Sequence, residues 1–111
     1  MPAAAPTPDP DPILTRLVAR IVDVFEPEAV WLFGSRARGD AAPDSDYDFL
    51  VVVPDDRDIQ RAWRDTGRVQ REPGIGADIV PCRKAVHERR TREVGTLNHA
   101  VASAGRRVYG R

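Results

Sequence analysis

Cysteine is nearly missing from this sequence: Cys82 is alone among 111 residues, so no internal disulfide can form. A chain without that cross-link fits a reducing cytoplasm better than a secreted setting. Apolar runs are short as well, and none approaches the roughly 20 residues that a membrane span requires. The N-terminus has neither the basic start nor the apolar core of a secretory signal. Net charge is also absent, with 17 Lys and Arg against 17 Asp and Glu. Zero balance argues against a general nucleic-acid binder. There are only two histidines, His87 and His99. Neither has a partner at metal-ligand spacing, and both are expected on helix surfaces. A length of 111 residues suits one domain with one modest core, too short for a catalytic domain plus a separate substrate domain.

What is there is unevenly spread. Through Asp78 there are nine Arg against fifteen acids; from Ile79 onward there are seven Arg and one Lys against two Glu. The ordinary reading of the Arg-rich end is a solvated face; the functional one is a surface for a polyphosphate or an acidic partner. Residues 1–12 hold five of the ten prolines and nothing large to bury, which predicts a disordered leader before a domain over 13–111. Asp11 reads as an N-cap with Pro12 at the first helical position. Leu14, Leu17, Val18, Ile21 and Phe25 then recur at helical spacing up to Pro27. Ala29–Phe33 reads as a strand and Asp46–Val53 as a second one, stopped by Pro54. Ile59, Ala62, Trp63, Thr66 and Val69 predict a helix, REPGIG a loop, and Ala77–Val80 a third strand closed by Pro81. A charged helix over 83–92 and a last helix on Val94, Leu97, Val101 and Ala104 follow, with an edge strand over 106–109. Trp31 and Trp63 fit core positions better than base-stacking platforms, Tyr47 reads as packing, and Cys82 as a buried or half-buried small residue.

The organising stretch is WLFGSRARGDAAPDSDYDFLVVV, residues 31–53. Asp46 and Asp48 are two apart on a strand and so share a face, which Leu50 and Val52 continue; Tyr47, Phe49, Val51 and Val53 take the other. A connection of about a dozen residues suits antiparallel pairing of the first two strands, and a helical crossover suits a parallel third. That topology brings Asp78 beside Asp46 and Asp48. Three carboxylates suit Mg²⁺, which takes oxygen ligands and completes its shell with water and substrate phosphates. Two such ions can clamp an in-line displacement at phosphorus. The Gly34-Ser35 turn offers backbone N–H groups and a hydroxyl to phosphate, and Arg36 and Arg38 can neutralise a departing polyphosphate. Taken singly, each signal has a plainer explanation: a solvated strand edge, a turn, an arginine facing water. Gly74-x-Gly76 stays in that plain class, lacking the strand-to-helix setting of a dinucleotide site.

Together, Gly34-Ser35, ten residues, then Asp46-Tyr47-Asp48-Phe49 resembles the signature of the DNA polymerase beta-like nucleotidyltransferase superfamily. The longer FGSRARG…SDYDFLV resembles its minimal nucleotidyltransferase branch, the antitoxin-type partner of HEPN-domain proteins. The resemblance implies an α+β fold with a mixed three- to four-stranded sheet flanked by helices. It implies Mg²⁺-dependent transfer of a nucleoside monophosphate, usually AMP from ATP, to a hydroxyl on a partner protein. Carried over by position, Asp46 and Asp48 would bind both metals, with Mn²⁺ an acceptable substitute. Asp78 would bind the catalytic metal and help deprotonate the acceptor. Gly34 and Ser35 would hold the triphosphate, with Arg36 helping. Pro81-Cys82 departs from the threonine-proline helix start expected at that point.

Two other function classes fit the same motifs. One is an antitoxin that neutralises its partner by contact alone; the other is a small-molecule, antibiotic-type adenylyltransferase, disfavoured for want of a second domain. A homo- or hetero-oligomer would serve either.

Overall fold

The computed structural model describes residues 11–110. The expected leader, apart from Asp11 and Pro12, lies outside the described residues. Asp11 caps the first helix, α1 (Pro12–Phe25), its Oδ1 accepting from the backbone N–H groups of Ile13 and Leu14 at 3.0 and 3.2 Å. The helix ends at Glu26, the one non-glycine residue with positive φ among the described residues, immediately before Pro27. Its apolar stripe of Leu14, Leu17, Ile21 and Phe25 is buried to within 2%. Each such side chain contributes roughly 1.5–3 kcal/mol relative to exposure.

That stripe covers one face of a four-stranded mixed sheet in the order β3-β2-β1-β4. The strands are β1 (Ala29–Phe33), β2 (Tyr47–Val53), β3 (Ala77–Arg83) and β4 (Arg106–Gly110). β1 pairs antiparallel with β2 and β4, and β2 pairs parallel with β3. The expected α+β class, strand directions and closing edge strand are all present. Tyr47, Phe49, Val51 and Val53 point into the main core with α1 and Ala62 of α3 (Ile59–Asp65). The opposite face carries a smaller cluster of Leu50, Cys82 and Val101, with Trp31, Phe33, Val80 and Val86 packed around it. α4 (Lys84–Arg90) and α5 (Leu97–Ala104) supply Val86 and Val101 on that side.

Several expectations need correction. Pro81 does not close the third strand, which runs on to Arg83. β3 is a sheet edge, where proline's missing donor costs no ladder bond. The predicted helix over 59–69 breaks into α3 and a 3₁₀ turn, Thr66–Arg68. Trp63 is not a core residue but 49% exposed, and Val94 and Leu97 are exposed as well. His87 is buried rather than on a helix surface: its Nδ1 faces Asn98 Nδ2 at 2.9 Å, and burial pushes its pKa down. α4 begins without a side-chain cap of its own; Asp55 Oδ1 instead accepts from Ala85 N–H at 2.8 Å. The connection after Gly34 opens with a single helical turn, α2 (Ser35–Arg38).

Candidate active site

β1 ends at Phe33, opposite Asp48 of β2, and Asp48 is in register with Asp78 of β3. Gly34, Asp48 and Asp78 therefore lie across one end of the sheet. Asp46 precedes β2 by one residue, and its Oδ1 accepts from Gly76 N–H at 3.2 Å. Asp46 and Asp78 are exposed while Asp48 is half-buried. Burial, then the charge of Asp78 and a hydrogen bond with it, then the charge of Asp46, push the Asp48 carboxyl above its ordinary value. Among the described residues, no three His, Cys, Asp or Glu side chains already stand in ligand geometry around one point. Bare carboxylates repel, and Asp46 is drawn aside to Gly76. The donor set still suits a hard divalent cation: all ligands are oxygen, and a cation offsets the repulsion that adds to burial in raising Asp48.

Two glycines let backbone approach these acids. Gly34 has φ 76° and ψ −157°, a region that only glycine occupies without strain. A Cβ on Gly34 would sit 2.5 Å from Asp48 Oδ2, and one on Gly76 would sit 2.5 Å from Asp46 Oδ1. Gly76 is a loop glycine, as expected, but one that its contact with Asp46 ties to the acids. Its adjacency to the ADIV strand was the available signal.

The two arginines differ. Arg36 is committed to the loop before the acids. Its Nη2 donates to Ser45 O at 2.8 Å and Pro43 O at 3.0 Å, and its Nε to Ser45 O at 3.2 Å. The guanidinium also lies over the Tyr47 ring, 4.2 Å from its centroid. Tyr47 in turn stacks on Phe49 and donates its hydroxyl to Asp11 Oδ2 at 2.5 Å. Burial alone would raise the Asp11 carboxyl, but the Tyr47 hydroxyl, the two capping amides and Arg36 hold it below the usual range. The α1 cap, Tyr47, Arg36 and the 43–45 loop thus form one connected support behind Asp46 and Asp48, a role that spacing alone did not reveal. Arg38 is 59% exposed, pairs with Asp40 at 3.3 Å, and lines a hollow of about 230 Å³ beside Gly34.

A second support holds the loop before β3. Arg16 and Arg20 of α1 both pair with Glu72, at 2.5 and 2.7 Å. Arg71 donates to the carbonyls of Thr66, Val69 and Ala77 at 2.6–3.2 Å. These contacts fix the approach of Gly76 and Ala77 to the acids. His99 lies on α5, its Nδ1 2.8 Å from Thr91 O. No described helix is long and apolar enough to cross a membrane.

Comparison with known proteins adds a family to this geometry. The chain resembles a solved structure from Sulfolobus solfataricus described as a nucleotidyltransferase, with a TM-score of 0.61 at 22% identity over 89% of this chain and 78% of that one. It also resembles a chain from a toxin-antitoxin structure with AMP-PNP, with a TM-score of 0.58 at 20% identity over 87% of this chain and 73% of that one. At such identities the likeness concerns the fold. No curated protein matches the chain. The model of the nucleotidyltransferase domain, however, matches residues 14–99, a span that holds Gly34, Ser35 and all three acids. On that match the chain belongs to the nucleotidyltransferase domain family, whose members generally use divalent metal ions.

Proposed function

We propose that this chain, through its 13–111 domain, transfers AMP from ATP, with Mg²⁺, to a hydroxyl on a partner protein. In this reading it is the antitoxin of a HEPN/minimal nucleotidyltransferase pair in a reducing cytoplasm. The observation that carries it is the parallel β2–β3 register, which sets Asp48 beside Asp78 with Gly34 against the Asp48 carboxylate. The toxin-antitoxin and AMP-PNP named for one structural neighbour support the partner and the nucleotide.

Asp46, Asp48 and Asp78 would hold two divalent ions, Mg²⁺ or in its stead Mn²⁺. When bound, the ions supply charge neutralisation and polarisation at the phosphate oxygens. Backbone at Gly34 and the Ser35 hydroxyl would orient the triphosphate, and the exposed Arg38 would meet its tail. Arg36, with its guanidinium engaged by Ser45 and Pro43, serves by fixing the loop that carries Asp46. The acceptor oxygen forms a bond to the α-phosphorus while the bond from that phosphorus to the α,β-bridging oxygen breaks. Pyrophosphate leaves, and the acceptor proton passes to Asp78.

The test is to incubate the protein with labelled ATP, Mg²⁺ and the product of the neighbouring reading frame. Wild type should label the partner, and Asp46→Asn should lose about 100-fold or more, equivalent to ~2.7 kcal/mol of barrier. Equal labelling by both proteins would reject the assignment.

A further inference from the structure

Two hollows open on the sheet face that carries Asp48 and Asp78, and Leu97 lines both. The smaller lies on the β1 side with Gly34 and Arg38. The larger, about 570 Å³, lies over β2 and β3, lined by Leu50, Val80 and Cys82 together with Trp63 and Leu97. Among the described residues only Trp63, Val94 and Leu97 are exposed large hydrophobics, and two of those three line this groove. Its charged lining residues are Arg83 and Arg90, and no acid contributes to it. A half-exposed indole beside arginine, within a concave apolar surface, is the composition of a protein-binding hot spot.

We infer that this groove docks an acidic segment of a partner protein, which inserts an apolar or aromatic side chain against Trp63 and Leu97. The charge argument favours that occupant. The rim is cationic, and the chain from Ile79 onward carries eight basic residues against two acids. The Gly34 turn, to which the proposed function gives the triphosphate, lies on the other side of Leu97, where Gly34 and Arg38 line the smaller hollow. Position gives the groove its relevance, and here the inference rests on the proposed transferase reading. Leu50 and Val80 follow Asp48 and Asp78 by two residues on the same strand faces, about 7 Å along each strand. A segment seated there presents its neighbouring side chain to the acids.

The test uses isotope-labelled protein without nucleotide or metal, titrated with a synthetic peptide carrying one tyrosine flanked by glutamates. A lysine-flanked counterpart and ATP are titrated separately. The acidic peptide should produce saturable shifts at the Trp63 indole N–H and at Thr96–Asn98. Trp63→Ala and Arg90→Glu should each weaken binding at least about five-fold while the melting temperature stays within about 2 °C. About 0.5 M salt should weaken it as well. The inference is overturned if no peptide gives saturable shifts, if the lysine peptide binds equally, or if ATP alone moves Trp63. Self-association that Trp63→Ala abolishes would also overturn it, by assigning the groove to a second copy. Lost peptide binding with Asp46-dependent labelling intact defeats only the docking site. Intact binding with Asp46-independent labelling defeats only the transferase reading.

Discussion

Replacing Gly34 with alanine tests whether the turn and the acids are built against each other. At φ 76° and ψ −157° any residue with a Cβ is strained, at a cost of about 1–3 kcal/mol. The added Cβ would lie 2.5 Å from Asp48 Oδ2 and 3.4 Å from its Cγ, so the carboxylate must rotate away. Driving it off its rotamer costs roughly 1 kcal/mol more. The combined loss is about 3 kcal/mol, and near 4 °C per kcal/mol for a domain of this size the melting temperature should fall by about 12 °C. Two controls isolate the contact. Gly39 also has positive φ, 83°, but a Cβ there meets nothing within 4 Å, so Gly39→Ala should cost only about 1 kcal/mol. In an Asp48→Ala background the close atoms vanish, leaving only the Asp48 Cβ at 3.7 Å, and Gly34→Ala should cost about 1 kcal/mol less. Thermal and urea denaturation of the four proteins of this cycle, with Gly39→Ala beside them, supply the data. If Gly34→Ala costs no more than Gly39→Ala, or its cost ignores Asp48, the close packing of turn and carboxylate is refuted.

Three further outcomes follow from the same geometry. The folded chain holds the Asp48 proton more tightly than the unfolded chain does, so its charge destabilises the metal-free fold at neutral pH. That penalty is relieved as pH falls through the raised value toward 3.8. Asp48→Asn should therefore melt higher than wild type at pH 7, with the gap closing on acidification; an equal or lower melting temperature at pH 7 contradicts the crowding of the three acids. His87 has the opposite sign. Buried and neutral, it binds its proton less readily in the fold, so stability is lost as pH drops below the ordinary 6.5 and through its lowered value. His87→Gln, which keeps an acceptor for Asn98, should flatten that decline in melting temperature; an unchanged slope would assign it to other groups. Arg36→Ala removes charge-assisted bonds to Ser45 and Pro43 and the contact with Tyr47, and should cost about 2 kcal/mol in urea unfolding. Amide exchange in the 40–46 loop should accelerate with it, and unaltered exchange would remove the supporting role given to this side chain.

The candidate site was legible because its signals are local and period-dependent. Asp46-x-Asp48 fixes one strand face, and Pro54 with the following helix leaves room only for a crossover, which yields the parallel third strand and Asp78. What escaped the sequence depends on which surfaces find a partner. Trp63 follows helical spacing, but α3 is short and buries only Ala62, so the indole stays outside. His87 departs for the converse reason: Asn98, eleven residues on, meets its Nδ1, and Trp31 of β1 lies against its ring, partners that no spacing in α4 announces. Pro81 shows that a strand breaker depends on edge position, which is a property of the sheet and not of the residue. Arg36 illustrates the limit most directly. Its residue type and its neighbour Ser35 point to phosphate, yet in the fold its guanidinium donates to the carbonyls of Pro43 and Ser45.

The central claim is that Asp46, Asp48 and Asp78 form one divalent-ion pocket, and Mn²⁺ binding measured by electron paramagnetic resonance with a non-hydrolysable ATP analogue tests it most directly. Wild type should take up two ions saturably, with Asp46→Asn, Asp48→Asn and Asp78→Asn each abolishing or severely weakening uptake. Absence of saturable binding, or uptake unchanged by Asp78→Asn, would contradict it.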